Sequence, residues 1–113
     1  MPYIQIKTNI DISNEKKSLI KKQLGKSIEL IVGKSEEWLM IDLSSNETMW
    51  FQGSSDPCIY LQLNVYGESS KNCYENFTNS VSSFINKELS IELNRIYISY
   101  FETNHWGWNG KNF

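Results

Sequence analysis

Cys58-Ile59-Tyr60-Leu61-Gln62-Leu63-Asn64-Val65 alternates without interruption. Side chains of a strand project to opposite faces with a period of two. Ile59, Leu61, Leu63 and Val65 therefore share one face, and Tyr60, Gln62 and Asn64 share the other. Tyr66-Gly67 breaks the run. Downstream, Cys73, Phe77, Val81, Phe84, Ile85 and Leu89 recur at helical spacing, and Arg95-Ile96-Tyr97-Ile98-Ser99-Tyr100-Phe101 reads as a second strand. The stretch is thus the opening of a strand–helix–strand unit.

The same order precedes it. Tyr3–Thr8 reads as a strand, and Asp11-Ile12-Ser13-Asn14-Glu15 offers helix N-caps with an acidic side chain in the first turn. Ile20, Leu24, Ile28 and Ile31 form one apolar stripe. Lys16, Lys17, Lys21, Lys22 and Lys26 lie off it, as a solvated face does. Gly33 is expected to end this helix in a left-handed cap. Trp38–Leu43 reads as the next strand, with a short further one over Thr48–Phe51. Two such units predict an α+β fold, a four-stranded mixed sheet with two helices on one face. The other face would carry Tyr60, Gln62, Asn64, Tyr97 and Ser99, an aromatic and amide-rich surface. It can face water in a monomer or line a channel between subunits, and periodicity does not choose.

The 113 residues suit a single domain, 1–113, and 40% hydrophobic with 21% charged residues describes a globular chain. A net charge of −2 gives no general attraction to nucleic acid or anionic membrane. No apolar run approaches the roughly 20 residues of a membrane span, and the N-terminus lacks the layout of a secretory signal. The cytoplasm is the expected compartment. Cys58 and Cys73 form no CxxC pair and are expected as free thiols. His105 has no neighbours at metal-ligand spacing, so no metal is expected.

Met1-Pro2 opens directly into the first strand. Proline behind an initiator methionine is commonly exposed by processing, and Pro2 then carries a free secondary amine. An ordinary α-amine titrates near 7.7–8.0, and burial beside a cation lowers it towards neutrality. Such a group is a candidate general base.

Together these landmarks resemble the macrophage migration inhibitory factor and D-dopachrome tautomerase family. They are Met1-Pro2 with Thr8-Asn9, Gly33-Lys34, and Phe51-Gln52-Gly53-Ser54-Ser55-Asp56-Pro57-Cys58. Tyr66-Gly67, Arg95–Tyr100 and Trp106-Gly107-Trp108-Asn109-Gly110-Lys111-Asn112-Phe113 complete the series. The resemblance covers essentially the whole chain. It implies a homotrimer in which three sheets form a barrel, with short extra strands at the subunit edges and active sites between subunits. It implies a cofactor-free keto–enol tautomerase of the phenylpyruvate type, acting on small aromatic α-keto acids. Pro2 would be the catalytic base, Lys34 and the Tyr66 backbone amide would hold the carboxylate, Tyr97 would reach in from a neighbour, and Ser99 would be a further substrate-binding position. Trp38, Trp106, Trp108 and Phe113 would form the walls and rim. Ser99 stands where the best-known relative has Asn, Tyr66 and Trp106 replace smaller side chains, and Leu61 removes the second cysteine of a CxxC. The resemblance also leaves room for a cytokine-like factor, exported without a signal peptide to a cell-surface receptor, with the chemistry vestigial.

Every catalytic expectation presumes a chain that starts at Pro2. Intact-mass measurement should find the protein lighter than its translation by one methionine, and a retained Met1 should abolish tautomerase activity.

Overall fold

The computed structural model describes residues 1–113. β1 (Pro2–Thr8), α1 (Asn14–Ser27) and β2 (Met40–Ser44) form the first unit. β3 (Ile59–Tyr66), α2 (Lys71–Leu89) and β4 (Ile96–Thr103) form the second. The sheet order is β2-β1-β3-β4. β1 is parallel to β2, β3 is parallel to β4, and β1 and β3 meet antiparallel at the centre. The two expected strand–helix–strand units and the mixed sheet are thus both present.

The alternation in β3 divides the faces as its sequence dictates. Ile4 and Ile6 of β1 join Ile59, Leu61 and Leu63 of β3 in one buried cluster. Ile20, Leu24 and Ile28 from the first helical segment and Phe77, Val81 and Ile85 from α2 close it from above. Each of these large side chains removes from water the apolar surface of a buried aliphatic or aromatic group, about 1.5–3 kcal/mol apiece. Ser13 caps α1 by accepting from the Lys16 amide, and Ser70 caps α2 by accepting from the Cys73 amide.

Three local expectations are corrected. α1 stops at Ser27 and tightens into a 3₁₀ turn over Ile28–Leu30, so Gly33 is not its cap. Gly33 instead adopts φ +81° in the loop beyond, and Ile31 is buried from extended backbone. Trp38 belongs to a 3₁₀ turn, Glu36–Trp38, and β2 begins only at Met40. Thr48–Phe51 forms no strand. Phe51 pairs only with Ser54 across a tight turn in which Gln52 and Gly53 both have positive φ. That segment takes much of its order from a side chain instead.

That side chain is Arg95, buried just before β4. Its Nε donates to the Pro57 carbonyl at 2.9 Å and its Nη1 to that of Phe51 at 3.1 Å. Its Nη2 donates to the Ser54 and Asp56 carbonyls at 3.2 and 3.0 Å. The guanidinium also lies 5.2 Å from the centre of the Phe51 ring. A planar five-donor fork satisfies four carbonyls at once, which a lysine cannot do. Phe51 in turn packs on Tyr97, ring centres 4.6 Å apart, so the loop braces the first exposed aromatic of β4.

Across the open face, Tyr3, Asn64 and Phe101 form one row, Gln5, Gln62 and Ser99 a second, and Lys7, Tyr60 and Tyr97 a third. The Tyr60 and Ser99 hydroxyls hydrogen-bond at 2.6 Å, and Gln62 Nε2 donates to Asn64 Oδ1 at 3.1 Å. Tyr97 is 60% exposed and Phe101 49%.

Replacing Arg95 by Met should take a donor from four carbonyls, leave that of Pro57 without a partner, and loosen the Phe51–Pro57 loop. A loss of about 3 kcal/mol is expected from urea unfolding at fixed protein concentration, with Arg95→Lys recovering only part of it.

Candidate active site

β1 is an interior strand, and its first residue is the second residue of the chain. Pro2 is buried opposite Val65 in the β1–β3 ladder. The ladder therefore delivers the N-terminus to the end of β3, where Tyr66 follows. The Tyr66 amide donates to the Met1 carbonyl at 3.3 Å. Lys34 arrives from the loop after the first helical segment, and its Nζ donates to the Tyr66 carbonyl at 2.7 Å. Gly33 at φ +81° turns the chain immediately before it. Residues separated by 32 positions in sequence are thereby joined at the chain's beginning.

The terminal amine of the full chain belongs to Met1, with the Pro2 nitrogen held in the peptide bond. Its pKa falls from the ordinary 8.0 to about 6. Burial is the largest cause, followed by the charge of the Lys34 ammonium and a hydrogen bond from it. All three disfavour the protonated form, so the amine is largely neutral at pH 7.

Beside Met1 and Pro2 lies a cleft of about 340 Å³. Glu37, Trp38, Leu39 and Met40 line it together with Trp106, Gly107 and Trp108. The Trp38 and Trp108 rings meet edge to face at 4.9 Å. The C-terminal side is a hairpin, β5 (Gly107–Trp108) with β6 (Lys111–Asn112), turning through Asn109 and Gly110 at φ +53° and +79°. An Asn-Gly pair between short extended runs is the chemistry such a turn demands. Phe113 extends it, its amide donating to the Trp106 carbonyl at 3.0 Å, and its ring lies 5.6 Å from Tyr66 and 6.4 Å from Trp108.

Of the residues singled out in the sequence, Pro2, Trp38, Trp106 and Trp108 line this cleft. Lys34 and Tyr66 join it through their contacts with Met1, and Phe113 covers Tyr66. Tyr97 and Ser99 are elsewhere. Val65, opposite Pro2, pairs with Glu102, and Tyr97 sits five residues further down β4, roughly 17 Å away along the strand. No side chain spans that, so neither residue serves the cleft of its own chain. Glu37, Leu39 and Met40 were not singled out; their position directly after Lys34 and around Trp38 is the signal that marks them. Larger hollows elsewhere, such as that between α2 and β4 lined by Tyr74, Thr78 and Glu102, do not reach the terminal amine.

Isotope-edited titration of the full chain should give a terminal amine near pKa 6. Lys34→Met should raise it towards 8 without reaching it, because burial, the larger cause, stays in place.

The chain matches the family model for macrophage migration inhibitory factor over residues 1–113. Macrophage migration inhibitory factor of Xenopus laevis is 30% identical over 115 residues, covering 100% of this chain and 99% of that one. D-dopachrome decarboxylase of Mus musculus is 27% identical over 108 residues, covering 94% of this chain and 90% of that protein. The crystal structure of Leishmania major MIF2 aligns with a TM-score of 0.92 at 31% identity, covering 100% of this chain and 97% of that one. From its first strand to its terminal hairpin, the chain belongs to the macrophage migration inhibitory factor family.

Proposed function

We propose that this protein is a keto–enol tautomerase of small aromatic α-keto acids such as phenylpyruvate, using Pro2 as its base once Met1 is removed. The observation that carries the reading is the pair of contacts Met1 makes. Its carbonyl takes the Tyr66 amide proton, and its amine takes a hydrogen bond from Lys34. Removing Met1 vacates both donors at the new terminus, and a substrate carboxylate or carbonyl supplies the acceptors they lose. Lys34 has donors to spare beyond the one given to the Tyr66 carbonyl.

In the reaction, the neutral Pro2 amine removes a proton from the carbon beside the carbonyl and returns it to the enolate oxygen, or runs the reverse. Lys34 and the Tyr66 amide hold the substrate's carboxylate. The same burial and the same ammonium that depress the Met1 amine favour a neutral Pro2. Trp38, Trp106 and Trp108 receive the ring and exclude water, which strengthens the electrostatics within. Tyr97 and Ser99 complete the site from a neighbouring copy in a homotrimer. Their distance from Pro2 within one chain, together with the open sheet face they share, supports that assignment.

A cytokine-like role is the second reading, favoured by the curated relatives that carry the name macrophage migration inhibitory factor. In it, a receptor is the partner and the cleft is a docking site or a remnant. Signalling that survives intact in a Pro2→Gly trimer would make the chemistry incidental.

The processed protein should consume phenylpyruvate enol above the buffer rate, and absence of any such rate ends the tautomerase reading. Pro2→Gly should cost about 10²-fold, within the range of general acid–base help. The rate should rise with pH through the Pro2 amine pKa, which the same burial and ammonium lower, because only the neutral amine is a base. Light scattering at micromolar concentration should give three times the chain mass; a monomer would leave Tyr97 and Ser99 without a site.

A further inference from the structure

Glu37 is the one acidic side chain bordering the cleft, and the one cation near it, Lys34, joins only through Met1 and donates to the Tyr66 carbonyl instead. It makes no ion pair: the chain's two pairs are Lys16–Glu88 and Lys71–Glu75. Its neighbour Glu36 instead packs back over Gly25 of α1, so the two adjacent acids go separate ways. Trp38, Trp106 and Trp108 line the same cleft, and the first and last meet edge to face at 4.9 Å. Indole faces attract cations through the ring quadrupole, and a free carboxylate beside them adds a full charge of the same preference. At the other end, the ammonium of Lys34 binds anions. Lys34 and Glu37 are three residues apart, so their backbones are at most about 11 Å from one another.

We infer that the cleft selects zwitterionic aromatic substrates, with the carboxylate at Lys34 and a cationic substituent on the far side of the ring, held by Glu37 among Trp38, Trp106 and Trp108. The inference rests on the reading of this cleft as the substrate site and adds the substrate's charge pattern to it. The turn Glu36–Trp38 sets Glu37 and Trp38 side by side in sequence, so the charge and one aromatic wall come from a single short element.

The test compares two nearly isosteric carboxylates, 4-(aminomethyl)cinnamate and 4-ethylcinnamate, titrated into the protein and followed by tryptophan fluorescence at pH 7. The ammonium compound should bind at least about fivefold more tightly, the order a cation–aromatic contact supplies. Glu37→Gln should shrink that ratio towards one, and Glu37→Lys should invert it. Equal binding of the two ligands, a ratio unmoved in Glu37→Gln, or no binding of either at millimolar concentration would overturn the inference. Because binding is read without turnover, a protein that shows the preference but leaves phenylpyruvate untouched would sink the tautomerase reading while keeping this subsite.

Discussion

The structure depends on a chain that begins inside its own sheet. β1 is flanked by β2 on one side and β3 on the other, and its first residue is Pro2. Most termini fray into solvent because nothing pairs with them. Here the antiparallel ladder with β3 holds Pro2 against Val65 and carries Met1 to Tyr66. Burial of the terminus, the approach of Lys34 and the depressed amine all follow from that pairing. A free end placed on an edge strand would keep an ordinary α-amine.

The same sheet separates two tasks. One face is dry and packs both helices, and its contents are the aliphatic half of each alternating strand. The opposite face holds ordered polar contacts, such as Tyr60 with Ser99 and Gln62 with Asn64, beside exposed Tyr97 and Phe101. Arg95 links this face to the loop before β3, because the loop it clamps supplies the ring that supports Tyr97. A long-range cation thus substitutes for the strand that the Thr48–Phe51 segment does not form.

Much of this was legible in the residues. Strict alternation in β3 gives both faces of the sheet, and the stripes of the two helices give the core, since both are local periodicities. Met1-Pro2, Lys34 and Tyr66 stood out through the family landmarks. Their meeting at one point did not follow from spacing, because it depends on the antiparallel register of β1 and β3. The 3₁₀ turn at Ile28–Leu30 displaced the expected glycine cap, since apolar Ile28 and Ile31 stay buried whether the backbone is α-helical or not. The terminal hairpin was carried by four residues and an Asn-Gly turn, too short for a periodic signal. The order of Phe51–Pro57 was invisible locally, because its organising side chain lies about forty residues downstream.

The hydrogen bond between the Tyr66 amide and the Met1 carbonyl bears on when the chain matures. An exopeptidase must draw the Met1–Pro2 bond, in extended form, into its own catalytic groove. Once the sheet has assembled, that bond sits at the mouth of a strand already engaged by its neighbour, with Pro2 buried behind it. β3 emerges from the ribosome more than fifty residues after Met1. Any removal of Met1 therefore belongs to the interval in which the nascent N-terminus still lacks its pairing partner, and a molecule that misses that interval folds with Met1 in place.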